Sequence, residues 1–217
     1  MCALLLAMVT TFASTAAPAH AGVLSGVCLT RGQPRDGRTA VVWVDSLPER
    51  VEKRLAEGAP RWFWQRRAPR PQLAVTRLQA LRFVPHVHAV AVGGGLIVRN
   101  TDRVWHGVFS VTPGQSFEIG KRAPGQADTL HFDRPGPVSL RCDIHPDESA
   151  WVMVTPNHAF ARTDGNGRWL LPDLPVGTYP LRAWWPDGHV LERRVTVRAN
   201  GNPAVRFERS PESGPAL

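Results

Sequence analysis

Residues 136–155 read GPVSLRCDIHPDESAWVMVT. A Pro-Gly turn leads into VSLRC, where Val138, Leu140 and Cys142 fall on one side of an alternating run. That is the period of a half-buried strand. Beyond Pro146 and Asp147, WVMVT forms a second β-rich run. Between the runs, Cys142-x-x-His145 brings a thiol and an imidazole to one strand end, and three residues further on stands the carboxylate of Glu148. All three are metal donors. The stretch therefore reads as a working metal loop, an altered one, or a strand end that only resembles one.

Working outward, most other periodic segments are also short and bounded by Gly, Pro, Asn or Asp. LIVRN, RWLLP, YPLRAWW and RRVTVRA all read as strands. One stretch, residues 47–58 (LPERVEKRLAEG), has helical spacing, with Val51 and Leu55 four apart and a closing glycine. The chain reads as all-β. PRWFWQRRAPRPQ, which follows the helix, is basic, aromatic and proline-rich, so residues 47–79 read as a helical and basic linker. Residues 209–217 are polar and proline-broken and read as a disordered tail. The Gly93-Gly94-Gly95 run precedes no helix and no Lys-Ser/Thr pair, so it reads as a hairpin turn and not as a phosphate cradle.

Residues 1–21 run apolar, then small, and end in Ala-His-Ala, the small-x-small pattern of a cleaved export signal, although no Lys or Arg precedes the apolar run. The apolar part is shorter than the roughly 20 residues a membrane span needs. A periplasmic protein with no membrane span after cleavage is the expectation. Its formal net charge is +8, carried almost wholly by arginine, with Lys53 and Lys121 the only lysines. No Lys/Arg block alternates with aromatics as nucleic-acid surfaces do, so the basic surface points to an acidic partner protein or an anionic membrane face. Cleavage leaves Cys28 and Cys142, and in an oxidising compartment a disulfide between them competes with the metal reading.

Two family resemblances organise the rest. In residues 157–208, Thr163-Asp164, Gly167, Leu171, Leu174-Pro175, Gly177, Tyr179 and Leu181 resemble the carboxypeptidase regulatory-like domain, a small transthyretin-like β-sandwich. That family's opening segment is matched by GVLSGVCLTRGQPRDGRTAVVWV, far upstream. Residues 22–46 and 157–208 would then form one discontinuous sandwich, with residues 80–156 inserted or joined as a second. Loop-closure entropy grows slowly with length, which makes such an insertion physically tolerable. In that second segment Phe83, Pro85, Asn100, Asp102, His106, Phe109, Ser110, Phe117, Gly120, Phe132, Pro135, Gly136, Cys142, Ile144 and His145 match the plastocyanin-like proteins associated with methylamine utilisation. The segment thus resembles a cupredoxin Greek-key β-sandwich.

By that resemblance His106, Cys142 and His145 would be the equatorial ligands of a type 1-like copper, and Glu148 would stand where the family has an axial Met. A thiolate with two imidazoles makes the trigonal set of electron-transfer copper, whose potential the axial group tunes. A carboxylate there is hard and anionic, favouring the oxidised metal, and equally completes a tetrahedral zinc set. A second departure is Gly107, where the family has an Asn that braces the Cys loop. The implied role is single-electron carriage or copper handling for a redox partner, not catalysis, since the chain shows no Ser-His-Asp order and no paired catalytic acids. The alternatives are a metal-free or zinc-filled relic and a non-redox interaction module working through Trp62, Trp64, Trp184 and Trp185. Core and inter-domain packing is the simpler use for these tryptophans. His86 and His88 alternate on one strand face and read as structural. Met153 reads as a packing residue in mid-strand.

Overall fold

The computed structural model describes residues 21–30, 39–57 and 73–210. Among them every regular element except the helix Glu49–Glu57 is a strand, in keeping with an all-β chain. Two sheets form around the metal-loop sequence. A five-stranded sheet runs in the order Val87–Ala91, Ser149–Thr155, Gly136–Cys142, His106–Ser110, Phe117–Arg122. A four-stranded sheet runs Ala127–His131, Gly95–Asn100, Leu73–Leu78, Phe83–Val84. Their inward side chains share one core that includes Leu78, Leu96, Val108, Leu140 and Val152. Burying each such aliphatic side chain contributes on the order of 1.5–3 kcal/mol.

Alternation within the five-stranded sheet decides where the donors go. Val138 pairs with Val152 and Leu140 with Ala150, and all four are fully buried. Cys142, on the same face and at the end of its strand, pairs with Val108. His106, two residues before Val108, is inward for the same reason. The thiol and the imidazole thus stand at adjacent strand ends, at the rim of the core. The pairing of His106–Ser110 with Phe117–Arg122 shifts register between Gly107 and Phe109, an irregularity of the kind that re-aims side chains near sites.

Seven further strands form a second pair of sheets, Phe160–Arg162, Val41–Val44, Gly177–Trp184 and Val190–Val197, and opposite them Arg168–Leu170, Ser25–Thr30 and Val205–Arg209, while Ala21–Gly22 and Leu174–Pro175 pair as a short two-stranded ribbon. Their core includes Leu24, Val44, Trp169, Leu181, Trp185 and Phe207, and the helix adds Val51 and Leu55 to it. A third cluster joins the two groups of sheets: Val41, Trp43 and Trp184 meet Val87 and Met153. Met153 therefore faces away from Cys142, and Trp184 and Trp185 are both packing residues. Trp62 and Trp64 lie outside the described residues, as do residues 1–20.

Three expectations are corrected. Residues 73–78, assigned to the linker, are a strand paired in parallel with Gly95–Asn100; their alternation is short and is masked by the proline-rich stretch before them. Arg209, assigned to the tail, ends a strand and is 3% exposed. The glycine run is a corner and not a hairpin, because the strands on either side of it belong to different sheets. Gly93 adopts φ 80° there, which favours glycine.

Candidate metal centre

The site is built from two short segments. The first is the loop leading into the strand His106–Ser110. Asn100 is buried, and its Oδ1 accepts the Asp102 N–H at 3.0 Å, an Asx turn. Its Nδ2 donates to the carbonyls of Val104 (2.8 Å) and Arg122 (3.0 Å). The loop is thereby fixed before it delivers His106, whose exposure is 0%. The second is the 142–148 loop, closed on itself by Glu148 N–H to His145 O (3.0 Å) and Cys142 N–H to Glu148 O (3.2 Å). Asp143 N–H to Gly107 O, at 2.9 Å, ties the two segments together.

The four residues proposed from sequence converge. One donor atom from each of His106, Cys142, His145 and Glu148 lies within 4.8 Å of the others. Cys142 Sγ is 3.5 Å from His145 Nδ1 and 3.9 Å from His106 Nδ1. Glu148 Oε2 is 2.9 Å from His106 Nδ1, and Oε1 is 3.5 Å from His145 Nδ1. The two imidazole rings are tilted by 59° at 4.8 Å between centroids. Three of the residues are buried; the His145 side chain is about a quarter exposed and reaches the surface beside Ile144. Cys142 is a free thiol, and Cys28 lies in the other core, paired with Phe207 across its sheet, which removes the disulfide alternative.

The electrostatics fit a cation. Glu148 is 2% exposed, and its Oε1 has no hydrogen-bond partner. Carboxylates are almost never buried unless paired with a cation or coordinated to a metal. Burial pushes the Cys142 thiol up from its ordinary value, and the Glu148 charge adds to this, against N–H groups of Ile144, His145 and Gly107 that pull it down. A thiol so placed ionises readily only beside a positive charge, which a coordinated metal supplies.

No family model matches the chain, and no curated protein matches it. Solved structures do. An amicyanin variant in its Cu(I) form is 22% identical over 38% of this chain and 81% of its own, with TM-score 0.36. A purple cupredoxin from Nitrosopumilus maritimus is 21% identical over 38% of this chain and 99% of its own, with TM-score 0.34. The chemistry of the site rests on the donors themselves.

Two features of the centre were missed from sequence. Asp102 Oδ2 lies 3.2 Å from His106 Nε2, and its carboxylate also accepts N–H bonds from Ala80 (2.6 Å) and Leu81 (3.0 Å). Burial pulls the Asp102 carboxyl upward, but the two backbone N–H bonds and His106 outweigh it and hold it below the ordinary carboxylate range. The signal available was an acid four residues before a candidate ligand histidine, at the end of an Asn-x-Asp turn. The second feature concerns Gly107. The brace an Asn would give is replaced by the backbone bond to Asp143, and a Cβ at 107 would run into the exposed Asp143 carboxylate.

Proposed function

We propose that the chain is a cupredoxin-type copper protein of the periplasm, in which His106, Cys142, His145 and Glu148 hold one copper ion. The convergence of four donor atoms around a buried carboxylate with an unpartnered oxygen is the observation that supports this reading. Copper held there supplies one-electron redox chemistry. Cys142 gives a soft thiolate, His106 and His145 give imidazole nitrogens, and Glu148 adds a hard anion that favours the oxidised ion and lowers the potential relative to a thioether. The strands that fix His106 and Cys142 keep the ligand set nearly unchanged between oxidation states, which suits carriage of electrons over catalysis.

His145 is the ligand that reaches the surface, next to the exposed Ile144, and is the natural point of electron entry and exit. The +8 formal charge suits an acidic redox partner. Among the described residues no helix is long and apolar enough to cross a membrane. A second reading is zinc, because Cys, two His and a carboxylate also make a closed tetrahedral set. Absorption spectroscopy during Cu²⁺ addition separates the two. The copper reading expects a strong thiolate-to-copper band, with the long-wavelength band that gives a blue colour deepened and the potential raised in Glu148→Met. Zinc bound in preference to copper, with no such band, would sink it.

A further inference from the structure

We propose that Asp102 is a positioning residue of the metal centre, a single carboxylate that clamps the far nitrogen of His106 and, with the same two oxygens, a left-handed turn at Ala80–Leu81. The inference rests on the metal reading above and goes beyond it, because Asp102 contributes no donor to the cluster.

His106 is wholly buried between two carboxylates. Its Nδ1 faces Cys142 Sγ and Glu148 Oε2, and its Nε2 faces Asp102 Oδ2 at 3.2 Å. A ligand imidazole donates a lone pair from one nitrogen, so the other must carry the proton and needs an acceptor. Asp102 is that acceptor. It fixes the tautomer with the lone pair on Nδ1, pointed at the other donors, and a carboxylate makes the imidazole a stronger donor than a carbonyl would.

The carboxylate is itself held in advance. Its own N–H is tied to Asn100 Oδ1, and Oδ1 and Oδ2 accept from Ala80 and Leu81. Those two residues have φ of 51° and 57°, the left-handed region that non-glycine residues rarely occupy, let alone in succession. A strained turn persists only where its surroundings over-determine it. Here the same group that satisfies the turn orients the ligand, so a segment of the four-stranded sheet is coupled directly to a donor from the five-stranded one. With Glu148 on the other side, His106 sits in a doubly anionic shell that tightens the hold on a divalent ion.

The test is competition titration of the full chain with Zn²⁺ and with Cu²⁺, for wild type and for Asp102→Asn, alongside the Cu²⁺ absorption spectrum and the unfolding midpoint of the metal-free proteins. Asn keeps the shape and an acceptor but loses the charge. Positioning by Asp102 is expected to cost about 10–100-fold in affinity for both ions and to shift the thiolate-to-copper band, while the metal-free midpoint falls, because Asn can accept only one of the two N–H bonds from Ala80 and Leu81. Affinity and band unchanged in Asp102→Asn, with or without a lower midpoint, would show a role confined to the turn and overturn the inference alone. If the variant fails to fold, the same substitution is made together with Ala80→Gly and Leu81→Gly, since glycine adopts that turn without the carboxylate. A wild-type chain that binds neither ion overturns the metal reading and this inference with it.

Discussion

Two buried polar clusters, one in each group of sheets, treat charge in opposite ways. In the second group, Arg209 is 3% exposed and is held by its own surroundings: its guanidinium pairs with Asp187, donates to Thr30 Oγ1 at 2.9 Å and lies over the Trp185 ring at 5.5 Å. Burial alone would raise the Asp187 carboxyl, but the His189 hydrogen bond and the Arg209 charge pull it below its ordinary value. In the metal-loop group, Glu148, Cys142 and two histidines are gathered at the rim of a core with no Lys or Arg among them. One cluster is closed by a cation the chain provides; the other gathers four candidate metal donors around a carboxylate oxygen with no hydrogen-bond partner. The donor set, and not burial alone, distinguishes a structural ion pair from a candidate binding centre.

The difference has consequences for stability. Zn²⁺ or Cu²⁺ at a thousandfold excess over its Kd is expected to stabilise the fold by about 4 kcal/mol, from mass action on a site present only in the folded state. Cys142→Ser should abolish that gain, and thermal unfolding with and without a chelator reads both. An equal gain in Cys142→Ser would place the ion elsewhere. At the other cluster, Arg209→Ala removes a buried guanidinium together with its contacts to Asp187, Thr30 and Trp185 and should cost roughly 1–3 kcal/mol in denaturant unfolding, the same with or without metal. A loss that metal rescues would break the contrast.

A third buried group belongs to neither pattern. His88 is 3% exposed, and its Nε2 has no hydrogen-bond partner. Burial, helped by the nearby Arg162 and His86 charges and opposed by a hydrogen bond to Pro85, lowers its pKa from 6.5 to about 4. Above pH 6.5 it is neutral in both folded and unfolded chains and has no effect. As pH falls from 6.5 towards 4, the unfolded chain takes up the proton and the folded one does not. Stability is therefore lost through that window, approaching about 3 kcal/mol at its lower end. Unfolding free energies measured across pH 4–7 should show this slope, and His88→Gln should flatten it; an unchanged slope would assign the loss to other groups. The smallest effect is expected at Gly107→Asn. The exposed Asp143 side chain can swing aside, so stability should change by about 1 kcal/mol or less and metal affinity should hold. A large loss would mean that the backbone tie between Gly107 and Asp143 tolerates no side chain.

How much of this was legible in the sequence follows from the range of each interaction. Alternation along VSLRC and WVMVT is local, and it put Cys142 inward at a strand end. The C-x-x-H spacing with Glu148, and the distant His106, were legible because ligand residue types are rare and fall at strand termini. Leu73–Leu78 was hidden because a proline- and arginine-rich run precedes it and its partner, Gly95–Asn100, lies across a corner. Asp102 was hidden for a different reason. Its importance lies in contacts with Ala80, Leu81 and His106, and only the folded chain brings that turn and that histidine to one carboxylate.

The most direct test of the central claim is X-ray absorption fine structure on the copper-loaded chain. The expected result is a single sulfur scatterer in the first shell together with nitrogen and oxygen, and the sulfur missing in Cys142→Ser. A first shell of nitrogen and oxygen alone in the wild-type protein would contradict it.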